Sequence, residues 1–518
     1  MTIPLETLDA VSTPAAADTR IGELRFPDGV PDAATANTVY DHLDLVRGID
    51  AFLHSFQGVS MFAIRRGFRE AGVADGDVLL FSGLMDSHSL FLTGNADTVY
   101  FLAFVDLSDG PLVFDAPPGT LGLVNDMWFR WVIDVGLPGP DRGEGGRFLL
   151  VGPDYDGLLP QGGFHVARST TNGVCLLCRA FMEDSDPAPT VARIKQDMKI
   201  YPYEPGTFGT SIGSFLAGDA PLKPLAEPDP PEFIEGTGKV MNTLPPNDFS
   251  FYELLDELVQ AEPASALDPE IAGHARSIGI VKGQKFKPDD RMRKILDEAA
   301  ALGNATARTI STRARAEEGF AYYDDDPDSS WFNPLFAGGY SWMDPPPEIT
   351  PDGVKPYPFT GARAFNSRIG FYYIATGDSP SMCMRLTGIG SQYLMTFLDS
   401  KGEVLDGANH YRMTLPPDIP AQRFWSITVY DNQTRSMLQT DQDFPRAGSQ
   451  SFPSAAAAAE ADGSTTIHFS PDQPDGVDRA NWIQTVPDKG WFPILRCYSP
   501  KASFFDKSWR PSEVEPVD

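Results

Sequence analysis

Between about residues 78 and 182, the sequence alternates short apolar segments with turn-forming residues. The segments include VYFLAFVDL, GPLVFDAP, GRFLLVGP and GVCLLCRAF, and they recur every ~8–14 residues, a spacing typical of antiparallel strands in a sandwich or barrel. A second strand series closes the chain, from QYLMTFLD to WFPILRCYS. The 47 Gly and 46 Pro among 518 residues supply the many turns that such a fold requires.

Helical segments precede and separate the two strand series. Residues 36–71 place apolar side chains at helical spacing, which predicts one or two helices. Ser250 stands three residues before Glu253 and predicts a capping box at the start of another helix. Gly303 predicts a break in a third helical segment, which begins after Pro288.

Two proline-rich stretches, residues 220–233 and 343–358, bound the helical middle of the chain. We therefore predict an α+β, β-rich fold with two antiparallel β-sandwich or jelly-roll-like domains joined by a helical segment. The predicted parts are an N-terminal extension at 1–35, a helix plus the first β-rich domain at 36–215, the Pro-rich linkers and helical segment at 216–362, and the second β-rich domain at 363–518.

The formal charge of −30 and the isoelectric point near 4.5 disfavour nucleic acid and anionic membrane as partners, because both repel an acidic protein. The N-terminal residues have no basic start with an apolar core, and no stretch approaches the ~18 apolar residues of a membrane-spanning helix. We therefore expect a cytoplasmic protein whose partner is a small molecule, and a homo-oligomer remains open.

Four cysteines in a chain of this length do not form a disulfide framework. Cys175 and Cys178 make a lone CxxC inside an apolar run, without further zinc ligands and without the helix start of a redox motif. We interpret both as small buried residues of a strand.

The two strand series are similar to each other. VYFLAFVDLSDGPLVFDAPP in the first parallels QYLMTFLDSKGEVLDGANHYRMTLPP in the second, and an aromatic strand follows each of them. Two domains of one architecture would explain this similarity. Chance likeness among antiparallel strands would explain it equally well.

Four blocks carry a resemblance to a known family. NADTVYFLAFVDLSDGPLVFDAP, GRFLLVGPDYDG, RFWSITVYDNQTRSMLQTDQDFPRAGSQ and NWIQTVPDKGWFPILRCYSP resemble the signature blocks of the DUF1254/DUF1214 family, over roughly residues 70–200 and 390–510. The resemblance implies a β-rich two-domain protein and transfers no catalytic residue. Where the family pattern resembles NNDTxY, this chain has Asn95-Ala96-Asp97-Thr98 and so lacks one amide.

The polar head of the NADTVY segment is the first candidate site. Asp97 at a strand entrance can act as a general base or a metal ligand, with Thr98 or Tyr100 holding its carboxylate. The alternative is an Asx-turn, in which the Asp97 side chain only bonds nearby backbone N–H groups.

His88 lies nine residues before Asp97, with Asp86 close by. Such a cluster can bind a divalent metal or transfer protons, whereas the alternative is a solvated loop histidine. The sequence has no HExxH, GxSxG, Walker or GxGxxG motif in the context that each requires, which disfavours the usual serine hydrolases, NTPases and NAD-dependent dehydrogenases. No organic cofactor is evident, and a divalent metal remains possible.

Further candidates lie on aromatic segments. NDMWFRW predicts by period-two alternation that Asp126, Trp128 and Arg130 share one strand face, which can bind a polar ligand or form a salt-bridged surface stripe. The long polar loop DNQTRSMLQTDQ follows an aromatic strand, and functional residues often lie on such loops. The other candidates for substrate binding are Asn95, Thr98, Trp425, Tyr430, Asn432, Asn481 and Trp482.

These features lead us to expect an enzyme of hydrolase or lyase type, acting on a small, partly apolar organic molecule in a cleft between the two β-rich domains. The candidate catalytic residues are His88, Asp97, Tyr100 and Arg435. The alternative is a non-catalytic scaffold that binds a carbohydrate or a protein.

Overall fold

The structure is a computed structural model that describes residues 3–160, 162–204, 216, 228–346, 348–350, 353–355 and 361–517. The α-helices are α1 (Leu5–Val11), α2 (Ala33–Glu70), α3 (Ala188–Asp197), α4 (Ser250–Ala261), α5 (Pro269–Ser277), α6 (Asp290–Thr312), α7 (Phe365–Ile374), α8 (Pro380–Cys383) and α9 (Ala502–Phe505). Within the described residues, no helix is both long enough and apolar enough to span a membrane.

The strands form two groups along the chain. The first group is β1 (Ala16–Thr19), β2 (Gly22–Arg25), β3 (Val78–Leu80), β4 (Ser89–Leu90), β5 (Val99–Asp106), β6 (Leu112–Ala116), β7 (Thr120–Asp126), β8 (Trp131–Gly136), β9 (Gly146–Val151), β10 (His165–Arg168), β11 (Gly173–Ala180), β12 (Lys199–Pro202), β13 (Phe233–Glu235) and β14 (Met241–Asn242). The second group is β15 (Met343–Asp344), β16 (Glu348–Thr350), β17 (Gly353–Lys355), β18 (Ala362–Arg363), β19 (Ser391–Met395), β20 (Tyr411–Leu415), β21 (Ala421–Asp431), β22 (Arg446–Gly448), β23 (Thr465–Ser470), β24 (Trp482–Gln484), β25 (Trp491–Pro500) and β26 (Glu515–Pro516).

The chain contacts divide the protein into two compact units, Met1–Ser55 with Pro246–Ala307, and Phe56–Pro245 with Arg308–Asp518. Both strand series lie in the second unit. Most of the predicted connector at 220–233, namely residues 220–227, lies outside the described residues, as do 347, 351–352 and 356–358 of the connector at 343–358.

The first unit contains helices that approach each other closely at glycines. A Cβ atom on Gly48 would lie 2.7 Å from that of Ala299, and one on Gly303 would lie 2.6 Å from a ring carbon of Phe52. The predicted break at Gly303 is therefore wrong, because α6 runs through this position and the glycine makes room for the Phe52 ring.

The predicted capping box at Ser250 is also wrong. Helix α4 does begin at Ser250, but the carboxylate of Asp248 accepts the Ser250 backbone N–H at 2.9 Å, and the N-cap position makes no side-chain capping bond. The carboxylate two residues earlier thus takes the role that the sequence pattern assigns to the serine.

Two β-sandwiches form the framework of the second unit. The first has a sheet of order β10-β9-β6-β12 and an inner sheet of order β13-β3-β5-β11-β7-β8. The second has a sheet of order β24-β23-β20-β26 and an inner sheet of order β19-β25-β21-β22. Each sandwich encloses its own apolar core, which draws side chains from both of its sheets.

The two sandwiches share one strand arrangement. The run β5-β11-β7 corresponds to β19-β25-β21, and β10-β9-β6-β12 corresponds to β24-β23-β20-β26. Even the departure from antiparallel pairing recurs, because β9 pairs with β10 in parallel and β23 pairs with β24 in parallel. The similarity of the two strand series in sequence therefore reflects a repeated topology, in which these parallel pairs recur beside the predicted antiparallel ones.

Candidate functional site

Strand alternation gives each inner sheet a second apolar face. In β5, Val99, Phe101 and Ala103 belong to the core of the first sandwich, so Tyr100 and Leu102 lie on the opposite face. The same alternation in β19 and β25 turns other side chains away from the core of the second sandwich. These outward faces of the two inner sheets enclose a cavity.

The cavity has two chambers, and residues of both sandwiches line each of them. The cavity volume is about 100 Å³ in the first chamber and about 110 Å³ in the second. Each chamber is therefore larger than the space that a single water needs. The residues common to both chambers are Tyr100, Leu177, Thr376, Met382 and Tyr393.

Each inner sheet contributes one cross-strand pair of an arginine and a tyrosine. Arg179 of β11 lies directly opposite Tyr100 of β5, and Arg496 of β25 lies directly opposite Tyr393 of β19. The two pairs occupy corresponding positions of the repeated topology. All four side chains line the cavity.

Hydrogen bonds connect these pairs across the domain boundary. Arg179 donates from Nη2 to the Ser391 hydroxyl at 2.9 Å, and the Ser391 and Tyr393 oxygens are 2.6 Å apart. Arg179 also reaches the Tyr100 hydroxyl with Nη1 at 3.4 Å, and Asn95 donates to the same hydroxyl at 2.8 Å. A guanidinium group thus bridges hydroxyls of both domains.

The two tyrosines have opposite pKa shifts. Burial raises the pKa of Tyr100, and Arg179 offsets this only in part. Burial also acts to raise the pKa of Tyr393, but Arg179, the Ser391 hydrogen bond and Arg496 outweigh it, so the pKa of Tyr393 is lowered. A pair of groups whose pKa values are driven apart is typical of an acid and a base at one site.

Asp97 lies at the contact of the two domains rather than in the cavity lining. Its carboxylate is fully buried and accepts from Arg446 Nε at 2.8 Å, from the Ser426 hydroxyl at 2.7 Å and from the Tyr498 hydroxyl at 2.9 Å. All three partners belong to the second domain. Asp97 therefore joins the domains through a buried ion pair and is not placed to contact a ligand.

The turn that the sequence assigned to Asp97 is made by its neighbour. Asn95 Oδ1 accepts the Asp97 backbone N–H at 3.1 Å and lies 3.5 Å from the Thr98 hydroxyl, which donates to it. Asn95 therefore shapes the turn with its oxygen and orients Tyr100 with its nitrogen. The Asx-turn interpretation of Asp97 is wrong, because its side chain is engaged by the second domain.

The predicted common strand face of Asp126, Trp128 and Arg130 is wrong as well. Strand β7 ends at Asp126, whose carboxylate accepts the backbone N–H groups of Trp128 and Arg130 at 2.8 and 2.9 Å and the Arg130 Nε at 2.7 Å. These bonds close a tight turn in place of a continued strand. None of the three residues is among those that line the cavity.

The other two candidate catalytic residues also lie outside the cavity lining. His88 is partly exposed in a loop, with Nδ1 3.2 Å from Asp86. Arg435 is buried against Tyr373, with its Nε 3.1 Å from the Tyr373 carbonyl, and burial lowers the pKa of Arg435 to about 10. Both are placed as structural side chains.

The remaining candidates make structural contacts, within the second sandwich except for Tyr430, which bonds the first. Trp425 belongs to the sandwich core, and the Trp482 indole donates to the Ser470 carbonyl at 3.0 Å. The Asn481 amide bonds the backbone of Ala458 at 2.8 and 2.9 Å. The Asn432 backbone N–H donates to Gly490 at 3.0 Å, and the Tyr430 hydroxyl donates to the Gly94 carbonyl.

Among the residues that the structure describes, the charged side chains do not assemble into a metal site. Within the part of the chain that the structure describes, no group of three or more His, Cys, Asp or Glu side chains is arranged to hold a metal ion. Asp86 and Asp97 have separate sets of partners, because Asp86 bonds His88 and the Gly238 backbone. The His/Asp/Asp cluster considered from the sequence is therefore not assembled.

A second polar cluster, formed by Ser379, Ser381 and Asp134, lies at the second chamber. Ser379 and Ser381 line this chamber, and their hydroxyls are 2.8 Å apart. Ser381 in turn donates to the buried Asp134 carboxylate at 3.2 Å. Burial raises the pKa of Asp134 to about 6, and the serine hydrogen bonds oppose this shift only in part.

Asp134 makes a testable contribution to the pH dependence of stability. The folded state binds the Asp134 proton more tightly than the unfolded state does, because the pKa of Asp134 is raised on folding. The bound proton therefore stabilises the folded state by about 3 kcal/mol below pH 3.8, the ordinary pKa of the group, and this stabilisation is lost as the pH rises through about 6. Relative to wild type, Asp134→Asn should therefore gain about 3 kcal/mol of unfolding free energy between about pH 4 and about pH 7. Denaturant titrations at each pH measure this difference. The exposed control Asp109→Asn should change the unfolding free energy by the same amount at every pH. If Asp134→Asn behaves like this control, the pKa of Asp134 is not raised on folding.

Arg179, Ser391, Tyr393 and Arg496 were missed at the sequence level. A usable signal existed, since Arg179 and Arg496 each stand alone as a charge inside an apolar strand, GVCLLCRAF and WFPILRCYS. Strand periodicity also places Tyr393 at the position of QYLMTFLD that matches Tyr100 in VYFLAFVDL. Comparing the two strand series residue by residue would have found both pairs.

Two sandwiches of one topology, facing each other across a shared cavity, define the class of protein. The chain matches the model described as "Protein of unknown function (DUF1254)" over residues 79–202 and the one described as "Protein of unknown function (DUF1214)" over residues 390–502. These two matches confirm the resemblance to the DUF1254/DUF1214 family that the sequence blocks indicated.

A similarity in fold to a solved structure accompanies these matches. The crystal structure of the VPA0106 protein from Vibrio parahaemolyticus matches with a TM-score of 0.50 and 17% identity, covering 92% of this chain and 100% of that chain. That of an uncharacterized protein from Burkholderia cenocepacia gives a TM-score of 0.37 and 12% identity, covering 93% of this chain and 96% of that chain. A search of curated proteins gives no match.

Proposed function

We propose that the protein is an enzyme that acts on a small, partly apolar organic molecule in the cavity between its two sandwich domains. The observation that carries the proposal is the pair Tyr100 and Tyr393, which share Arg179 and have opposite pKa shifts. Proton transfer of this kind serves hydrolase or lyase chemistry.

Each group of the cluster has a chemical role in this proposal. Tyr393, whose pKa is lowered, acts as the general base, and Ser391 at 2.6 Å either passes its proton to Tyr393 or attacks the substrate. Tyr100, whose pKa is raised, stays protonated and donates a hydrogen bond or a proton. Arg179 stabilises negative charge that develops beside these hydroxyls.

The apolar lining of the first chamber indicates that the substrate carries hydrocarbon groups. Side chains from both sheets and from α7 surround the first chamber, among them Leu102, Leu177, Phe371, Met395 and Ile494. A ligand that buries hydrocarbon against these residues while one end reaches the hydroxyls is partly apolar and partly polar. By contrast, Trp425, Asn481 and Trp482 are engaged in the sandwich itself, which weakens the alternative of a carbohydrate-binding scaffold.

A spectroscopic titration tests the acid–base proposal without knowledge of the substrate. Wild-type protein should show one tyrosine that ionises below the ordinary range, seen as tyrosinate in ultraviolet difference absorbance. Tyr393→Phe should lose this transition, and Arg179→Gln should move it to higher pH, because the guanidinium favours the phenolate.

Tyr100→Phe is the matched control, since it removes a cavity tyrosine whose pKa is raised and should leave the early transition in place. If no tyrosine ionises early in the wild type, or if the early transition survives Tyr393→Phe, then Tyr393 is not the base.

A further inference from the structure

The interface between the two sandwich domains has a surplus of buried positive charge. Arg179, Arg446 and Arg496 all lie there, and Arg446 forms its ion pair with Asp97. In the described part of the chain, neither Arg179 nor Arg496 forms an ion pair with a carboxylate. Their hydrogen bonds go to hydroxyl and carbonyl oxygens instead, those of Ser391, Tyr100 and Tyr393 for Arg179 and that of Thr93 for Arg496.

Arg496 also has unused hydrogen-bonding capacity. Nη2 donates to Thr93 at 2.9 Å, whereas Nε and Nη1 are buried without a hydrogen-bond partner among the described residues. Arg496 is 3% exposed and lines the first chamber, between the rings of Tyr393 and Tyr430. Each of these N–H groups can donate to a ligand carboxylate, and such a charge-assisted hydrogen bond is stronger than one between neutral groups.

A buried cation without a counter-ion costs several kcal/mol. The chain carries 71 Asp and Glu residues and a net charge of −30, so acidic side chains are abundant, yet Asp97 is the carboxylate that pairs with an arginine here. Two guanidinium groups therefore lie beside the cavity without a carboxylate partner among the described residues of the protein. A negatively charged ligand would supply the missing counter-charge.

We infer that the ligand of this cavity is an organic anion, a carboxylate with an apolar body, whose carboxylate binds the guanidinium of Arg496. The inference rests on the proposed function only in placing the ligand in the same cavity. The apolar body extends among the side chains of the first chamber, such as Leu102, Phe371 and Ile494. Arg179 adds a second positive charge at the Ser391 and Tyr393 hydroxyls.

Isothermal titration calorimetry with hexanoate and hexanol tests this inference. The two probes share a similar apolar chain and differ in charge. Hexanoate should bind the wild-type protein, and hexanol should bind at least ten times more weakly. Arg496→Gln should weaken hexanoate binding by about 10–100-fold, the loss expected when a charge-assisted hydrogen bond is removed.

Two variants complete the test. Arg412→Gln removes an exposed positive charge on β20 and should leave hexanoate binding unchanged. Arg496→Lys keeps the charge but lacks the planar guanidinium and should bind with intermediate affinity. Equal binding of hexanoate and hexanol by wild type, or wild-type affinity in a folded Arg496→Gln, would overturn the inference.

The result is separable from the catalytic proposal. Hexanoate binding that depends on Arg496, without an early tyrosine transition, would leave a carboxylate-binding protein and remove the acid–base role of Tyr393. An early transition without hexanoate binding would keep Tyr393 as a base and remove the anionic ligand.

Discussion

Asp97→Ala is expected to lower the free energy of unfolding by about 3–5 kcal/mol, the loss found when one partner of a buried ion pair is removed. The variant leaves Arg446 buried with its charge uncompensated, and it also removes the acceptor for the Ser426 and Tyr498 hydroxyls. Because these partners belong to the second domain, the loss should weaken the association of the two sandwiches. Equilibrium denaturation measures it.

Two further variants show whether the effect comes from the ion pair. The double variant Asp97→Ala with Arg446→Met removes both charges and should recover much of the stability, because the isolated cation is gone. Asp324→Ala breaks an exposed ion pair with Lys507 and should change the unfolding free energy little. A loss for Asp97→Ala no larger than for Asp324→Ala would contradict a structural role for the pair.

Tyr393→Phe is expected to lower turnover by about 10²–10⁴-fold while the protein stays folded, which is the usual contribution of a general base. The change removes one hydroxyl and keeps the ring beside Arg496, so ligand binding should change much less than turnover. A screen of small carboxylic esters and amides with the wild-type protein identifies a substrate, and kcat and KM are then compared between the two proteins.

The matched control is Tyr411→Phe in the core of the second sandwich, which removes a buried hydroxyl away from the cavity lining and should leave kcat unchanged. If Tyr393→Phe raised KM and left kcat intact, the hydroxyl would only bind the substrate. Equal kcat values for Tyr393→Phe and the wild type would remove Tyr393 from the chemistry.

The strands and most helices could be predicted from sequence because their signals are local. Residues 36–71 show helical spacing, and the structure has one helix at Ala33–Glu70. Short apolar segments bounded by turn-forming residues likewise marked β5 and its neighbours. The turn at Asp126 escaped the same rule, because a carboxylate that bonds the backbone ahead of it ends a strand without interrupting the apolar pattern.

The site depended on contacts that no local pattern contains. Asp97 meets Arg446 across 349 positions of sequence, so the sequence identified a polar cluster but not its partner. Asn95 and Tyr100 were found because they belong to that cluster, whereas Tyr393 and Arg496 lie in strands that were assigned to architecture alone. These four residues reach one cavity only because the two inner sheets face each other.

The most direct measurement is a crystal structure with 6-bromohexanoate, located by the anomalous scattering of bromine. If the two sandwich domains form one ligand site, the carboxylate should contact Arg496 and the bromine should lie among the apolar side chains of the first chamber, near Phe371 or Ile494. Bromine located only outside the cavity, or a carboxylate that avoids both Arg496 and Arg179, would contradict a shared ligand site between the domains.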